Sequence, residues 1–204
     1  MRIAVLGSTG ATGRQLLTQA LDRGHTVVAL VRDPARLGTD RSAGLEVVAA
    51  DVHDPAGFPA ALAGVDVVVS GLGSVEKGPT GTLTAGATAL AGAPRVVWLT
   101  AFGTGVSAAS GGPLLRLLLP MALGRAEMAD KARAEELLLA GGASVLAAGP
   151  LTDGELSAGR RTVALADAPR TLFPSRVSRA TVAAAMLDEA EQPRYAGQVA
   201  VPLG

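Results

Sequence analysis

Seven residues near the amino terminus, Gly7-Ser8-Thr9-Gly10-Ala11-Thr12-Gly13, have the types and spacing to hold a phosphate group. This G-x-x-G-x-x-G run stands between an apolar stretch and a helix-forming one, and its three glycines take separate tasks. Gly7 permits a tight turn, Gly10 lets backbone amides approach a pyrophosphate, and Gly13 lets the helix pack closely on the strand before it. The helix that opens at Ala11 adds free N–H groups and the positive end of its dipole. Thr9 and Thr12 add hydroxyl donors. A turn built this way serves the pyrophosphate of a dinucleotide.

The next residues decide which dinucleotide. At the end of the second apolar run an NAD-selective site would place a carboxylate for the ribose 2′-hydroxyl, but Val31 is followed by Arg32, with Arg36 one helical turn further on. Two guanidinium forks suit a 2′-phosphate, so NADP(H) is favoured over NAD(H). Asp33 reads as a cap for the short turn at Pro34 or a partner for Arg36. Asp51 and Val52 follow the third run, where the adenine edge would lie, although Asp51 also suits a turn cap. Gly71-Leu72-Gly73 follows the fourth, where the chain must pass close to ribose and pyrophosphate.

The elements that position these groups follow from hydrophobic patterning. Strands are expected at Arg2 to Leu6, Thr26 to Val31, Glu46 to Ala50, Asp66 to Ser70, Arg95 to Thr100, Ser144 to Ala148 and Gln198 to Val201. Continuous rather than alternating apolar residues, as in Val65 to Val69 and Val96 to Leu99, imply burial on both faces. Helices are expected at Ala11 to Arg23, Pro55 to Leu62, Thr80 to Ala91, Leu114 to Leu123, Ala126 to Leu139 and Arg179 to Ala190, with Gly24 and Gly141 as stops. The alternation predicts an α/β fold, a doubly wound parallel sheet of Rossmann type, in a single domain over residues 1–204. Gly103 to Gly112 reads as a mobile loop.

Composition narrows the classes of partner. Eighteen basic and eighteen acidic residues balance, so no basic face argues for nucleic acid or an anionic membrane. The one basic concentration, Arg160, Arg161, Arg170, Arg176 and Arg179, lacks interleaved aromatics. Absence of cysteine removes thiolate and Cys-ligated metal chemistry, and the expected setting is the reducing cytoplasm. MRIAVLG lacks the longer apolar segment of a signal peptide, and Leu114 to Leu123 is too short for a membrane span. His25 reads as a turn residue and His53 as a loop histidine that could line the adenine edge; no metal constellation is visible.

The motifs AVLGSTGATGRQL, VRDPARL, Asp51-Val52, VVWLTAFG and DKARAEELLLAGG, with a later strand ending at Gly149-Pro150, together resemble the atypical short-chain dehydrogenase family that includes NmrA-like proteins and the biliverdin-IXβ/flavin reductases. The resemblance spans nearly the whole chain. It implies that Gly7, Thr9, Gly10, Thr12 and Gly13 hold the pyrophosphate, Arg32 and Arg36 the 2′-phosphate, and Asp51 and Val52 the adenine. Leu72 and Gly73 would flank the adenosine ribose, Thr100 and Ala101 would lie beside the nicotinamide, and Pro150 at its carboxamide. Two departures stand out. The Tyr-x-x-x-Lys pair is incomplete, because Glu127 stands four residues before Lys131 and the only tyrosine is Tyr195. Leu151 replaces the histidine that the biliverdin-type reductases carry after the proline.

Without a phenolic acid, hydride transfer suits acceptors whose reduced form is stabilised by delocalisation, such as flavins, quinones or linear tetrapyrroles, better than an unactivated ketone, with enones, imines and ketones kept within the range of acceptors. Thr100 is the candidate donor to a substrate oxygen, or else a polar strand end. Lys131 is the second catalytic candidate, or else a surface ion pair with Glu127 and Glu135. The substrate, a small molecule, would meet Phe102, Leu114, Leu118 and Leu151, with Leu117 and Met121 nearby. These leucines equally suit core cover or a homodimer contact, so monomer and homodimer stay open. Five aromatic residues offer little to stack on a large planar substrate. The function expected is an NADPH-dependent oxidoreductase; the alternatives are an NmrA-type redox sensor without catalysis and a non-redox cyclase or isomerase.

Overall fold

The apolar runs form parallel strands whose side chains alternate between two buried faces. The computed structural model describes residues 1–37, 42–73, 81–169 and 173–204. Its strands are β1 (Arg2–Leu6), β2 (Thr26–Val31), β3 (Leu45–Ala49), β4 (Val67–Ser70), β5 (Val96–Ala101), β6 (Ser144–Ala148), β7 (Leu151–Thr152), β8 (Arg161–Ala164), β9 (Val177–Ser178) and β10 (Val199–Leu203). Eight of them make one sheet in the order β3-β2-β1-β4-β5-β6-β10-β8. All its pairs are parallel except the edge pair β10·β8.

Ala4, Leu6, Val28, Leu30, Val68, Trp98 and Val145 point to one core, while Ile3, Val5, Val27, Val67, Val97 and Leu146 point to the other. This division is why the runs read as unbroken apolar stretches. The helices are α1 (Ala11–Asp22), α2 (Phe58–Ala61), α3 (Thr82–Ala89), α4 (Pro113–Leu123), α5 (Arg125–Ala140) and α6 (Arg179–Glu191). α1 and α6 cover one face, through Leu16, Leu17, Val182, Met186 and Leu187, and α3 and α5 the other, through Leu83, Ala87, Ala134 and Leu138. The fold is therefore the doubly wound, Rossmann-like sheet expected.

Several boundaries differ from expectation for local reasons. The 55–62 segment begins as a 3-10 turn over Pro55–Gly57 before α2. The left-handed stop of α5 is Gly142 (φ +79°) rather than Gly141, with the Ala143 N–H donating to the Leu138 carbonyl at 2.9 Å. Thr80, the expected start of α3, lies outside the described residues, as does Arg170. The short strands β7, β8 and β9 carry too few apolar residues to signal themselves. Gly103 to Gly112 is no free loop: Gly105–Ser110 forms a 3-10 helix with Ser107 fully buried.

Two side-chain clusters tie the layers together. Asp130 of α5 accepts the Leu83 and Thr84 backbone N–H groups at 3.0 and 2.9 Å, and so caps α3, which has no cap of its own. His25 is more than a turn residue: its Nε2 lies 2.8 Å from Glu191, which Arg23 also reaches at 3.0 Å, so the end of α1 is fastened to the end of α6. Burial opposes the charge on Glu191, but the hydrogen bonds from His25 and Arg23 outweigh it and hold the carboxyl below its usual range.

Candidate dinucleotide site

Register brings the glycine turns together. β1 and β4 end flush, with Leu6 opposite Ser70, and the Gly71 N–H donates to the Leu6 carbonyl at 3.0 Å. The turn after β4 therefore lies against the turn after β1. Gly7 takes a left-handed conformation (φ +79°), and a Cβ there would fall 2.8 Å from the Leu72 backbone nitrogen. A Cβ on Gly13 would overlap the Gly7 carbonyl oxygen and lie 2.7 Å from its carbon. Gly10 is less constrained, with its nearest neighbour at 3.3 Å, and it opens α1 without any side-chain cap on the first N–H groups. Glycine is thus required at both ends of the turn, and the uncapped α1 start faces the space between.

That space is a cavity of about 470 Å³. Gly7, Thr9, Gly10, Ala11, Thr12, Arg32, Arg36, Val52, Gly71, Leu72 and Gly73 line it, so most of the residues singled out in the sequence meet at one place. Gly13 stands behind the lining as the packing contact between α1 and the turn. Arg32 and Arg36 are exposed at the cavity's β2 side and have no carboxylate partner among the described residues. Asp33 caps the Pro34–Leu37 turn by accepting the Ala35 N–H at 3.0 Å, and Arg14 braces the same turn through the Arg36 carbonyl. Asp51 is likewise a turn residue: it accepts the His53 N–H at 3.0 Å and is absent from the cavity wall.

Three polar lining residues carry no site role in the sequence, or only a secondary one. His53 does reach the cavity, with Nε2 3.1 Å from the Thr82 hydroxyl, and Thr82 lines the wall with it. Arg179 reaches it from the start of α6. No sequence signal distinguishes Arg179 from the other arginines of its neighbourhood, since only the three-dimensional packing of α6 beside α1 brings it there.

The residues assigned to the nicotinamide end lie apart from this cavity wall. Thr100, next to last in β5, is buried, and its hydroxyl donates to Glu135 Oε1 at 2.9 Å rather than to backbone. The Thr104 hydroxyl lies 3.1 Å from the same oxygen, and the Val106 N–H donates to Glu135 Oε2 at 3.1 Å. Glu135 is 1% exposed, its carboxylate tucked under Gly105 where any Cβ would collide with it. Burial raises its carboxyl above the ordinary glutamate range, against the opposing hydrogen bonds of Thr100, Val106 and Thr104 and the charge of Lys131. Glu135 is thus no surface ion-pair partner; it organises the chain after β5. Lys131 pairs with Glu127 at 3.1 Å and is itself mostly covered.

Ala101 accepts the Thr104 hydroxyl through its carbonyl, and the Pro150 carbonyl accepts the Val177 N–H, starting the small β7·β9 pair. Of the substrate-side residues, Phe102 packs on one core and Leu151 on the other. Leu114, Leu117, Leu118 and Met121 lie exposed on the outer face of α4. Among the described residues no group of three or more His, Asp or Glu side chains could hold a metal ion, and no helix is long and apolar enough to cross a membrane.

A doubly wound sheet with a glycine turn of this geometry defines a Rossmann-type dinucleotide-binding protein. A family model described as NAD(P)H-binding matches residues 7–193, and the chain belongs to that family, whose cofactor is a nicotinamide dinucleotide. A Burkholderia pseudomallei crystal structure of a candidate exported protein has 30% sequence identity to it, with a TM-score of 0.82 and all of both chains covered. The anaerobillin reductase ChuY of Escherichia coli O157:H7 shares the fold at a TM-score of 0.80 and 22% identity, over 100% of this chain and 97% of that one. The photosystem II assembly factor Ycf39 of Synechocystis sp. is 39% identical over 69 residues, a match that spans 34% of this chain and 21% of that relative's length.

Proposed function

We propose that the chain is an NADPH-dependent oxidoreductase of the cytoplasm that transfers a hydride to a small conjugated or carbonyl-type acceptor. The observation that carries this reading is the pair of guanidinium groups, Arg32 and Arg36, without a carboxylate partner among the described residues and beside the glycine turn at the end of β2, where a 2′-phosphate would need compensation. Bound NADPH would supply the hydride. The chain's part is to orient the dinucleotide through the Gly7 to Thr12 backbone and to hold the 2′-phosphate on the two arginines. Thr100 is committed to Glu135 and Lys131 to Glu127, so neither candidate stands ready as the acid, and water is left to deliver the proton. That division favours quinones and flavins, whose reduced forms are delocalised, and enones, which pass through a delocalised enolate. The reductase named among the structural neighbours agrees with this reading.

The same commitment of Thr100 and Lys131 favours a second reading, a dinucleotide-dependent regulator without catalysis, and one relative is named as an assembly factor rather than an enzyme. A panel of acceptors separates the two. The oxidoreductase consumes NADPH with at least one quinone, flavin, enone or imine. Tight NADPH binding with no consumption across the panel would leave the regulator.

A further inference from the structure

Among the described residues, Arg179 is the one cation that lines the α6 side of the dinucleotide cavity. Arg32 and Arg36 belong to the β2 end, over which α1 packs, whereas α6 covers the β4 and β5 half of the sheet. Between them lies the uncapped start of α1. The two negative charges of a diphosphate seated there would otherwise meet backbone dipoles and hydroxyls alone from the glycine turn.

A short strand pair fixes where Arg179 stands. β7 and β9 run parallel, with Leu151 opposite Val177 and Thr152 opposite Ser178, so the next positions, Asp153 and Arg179, are brought side by side. Their side chains form an ion pair, Arg179 Nη1 to Asp153 Oδ1, in which the Asp153 side chain is 87% exposed. Water screens such a pair, and a lone exposed carboxylate holds an arginine weakly. A diphosphate offers the same guanidinium more charge and more acceptor oxygens, in a geometry that its planar fork matches.

We propose that Arg179 is a diphosphate-binding residue of the dinucleotide site and that Asp153 competes with the diphosphate for it. This rests on the dinucleotide reading of the same cavity. It also gives Asp153 a role opposite in sign to its partner's. If the pair were only structural, removing either member would act the same way; if Arg179 binds the ligand, the two removals act differently.

The test is a titration of NADPH, ADP-ribose and adenosine 2′-monophosphate against the wild-type chain and the Arg179→Ala, Arg179→Lys and Asp153→Ala variants. ADP-ribose carries the diphosphate without the nicotinamide, and adenosine 2′-monophosphate carries the 2′-phosphate without the diphosphate. Arg179→Ala is expected to weaken NADPH and ADP-ribose by about tenfold or more, the loss of a hydrogen bond to a charged group, and to leave adenosine 2′-monophosphate unchanged. Arg179→Lys, which keeps the charge without the fork, falls between, and decides the matter if the alanine variant does not fold. Asp153→Ala, which frees the guanidinium, binds both diphosphates more tightly than wild type, and unchanged or weaker binding overturns the competition. Unchanged ADP-ribose binding in both Arg179 variants, or equal weakening by the Arg179 and Asp153 replacements, overturns the proposal. Wild-type protein that binds neither NADPH nor ADP-ribose refutes the dinucleotide reading itself, a different failure from the first.

Discussion

A Gly13→Ala variant is expected to lose measurable dinucleotide binding and about 1 to 3 kcal/mol of stability, the usual cost of forcing extra volume into a packed contact. The added methyl would overlap the Gly7 carbonyl oxygen and approach Ser8 Cα to 2.8 Å. Both obstacles are backbone, held from below by β1, so neither can swing aside as a side chain would. Relief requires that α1 lift from the turn, which removes the N–H groups from the phosphate position. Gly10→Ala is the matched control. Its new methyl would stand 3.3 Å from the same oxygen, and the backbone there is already extended, so the stability change stays within about 1 kcal/mol. Denaturant unfolding of the two variants alongside NADPH titration checks the order; equal effects would contradict the close approach of helix to turn.

Removing the Glu135 side chain is the second large effect. Glu135→Ala strands the Val106 N–H, leaves the Thr100 hydroxyl only that of Thr104 at 3.3 Å and opens a void in the core, and is expected to destabilise the protein by about 2 to 4 kcal/mol. Glu135→Gln behaves differently, because its oxygen can still accept from Val106 while the threonine hydroxyls turn to accept from its amide. The pH dependence carries the diagnostic sign. A carboxyl raised above its unfolded value keeps its proton in the fold over a range where the unfolded chain has released it. This group's contribution to stability is therefore full below the ordinary glutamate value, declines as pH rises through the raised one and is constant beyond. Wild type should lose stability relative to Glu135→Gln as pH rises across that window. Parallel stability curves for the two proteins would show that Glu135 titrates as an ordinary glutamate.

Those two residues also mark what the sequence made legible. Gly13 announces itself, because a strand, three spaced glycines and a helix follow one another along the chain and each element constrains the next. The strands that carry the turns were equally plain, since burial on both faces leaves an unbroken apolar run. Glu135 was misread for an equally physical reason. Glu127, Lys131 and Glu135 recur at one helical turn, the pattern of a solvated face, and nothing local tells that the 3-10 turn after β5 folds over the last of them. Arg179 and the β7·β9 pair depend on contacts between distant segments, and two-residue strands leave no periodicity to detect. His25, placed in a turn, owes its partner Glu191 to the packing of α6 against α1.

If Arg32 and Arg36 hold the 2′-phosphate, as proposed, the cavity selects NADPH over NADH. The most direct test of that selection is a titration of NADPH and NADH by nicotinamide fluorescence, on the wild-type chain and on Arg32→Ala. Wild type is expected to prefer NADPH, and Arg32→Ala to weaken NADPH by roughly 1.5 to 3 kcal/mol, the worth of a charged hydrogen bond, while NADH binding stays as it was. Equal affinity of the wild-type chain for the two nucleotides, or an Arg32→Ala variant that binds NADPH unchanged, would contradict the proposal.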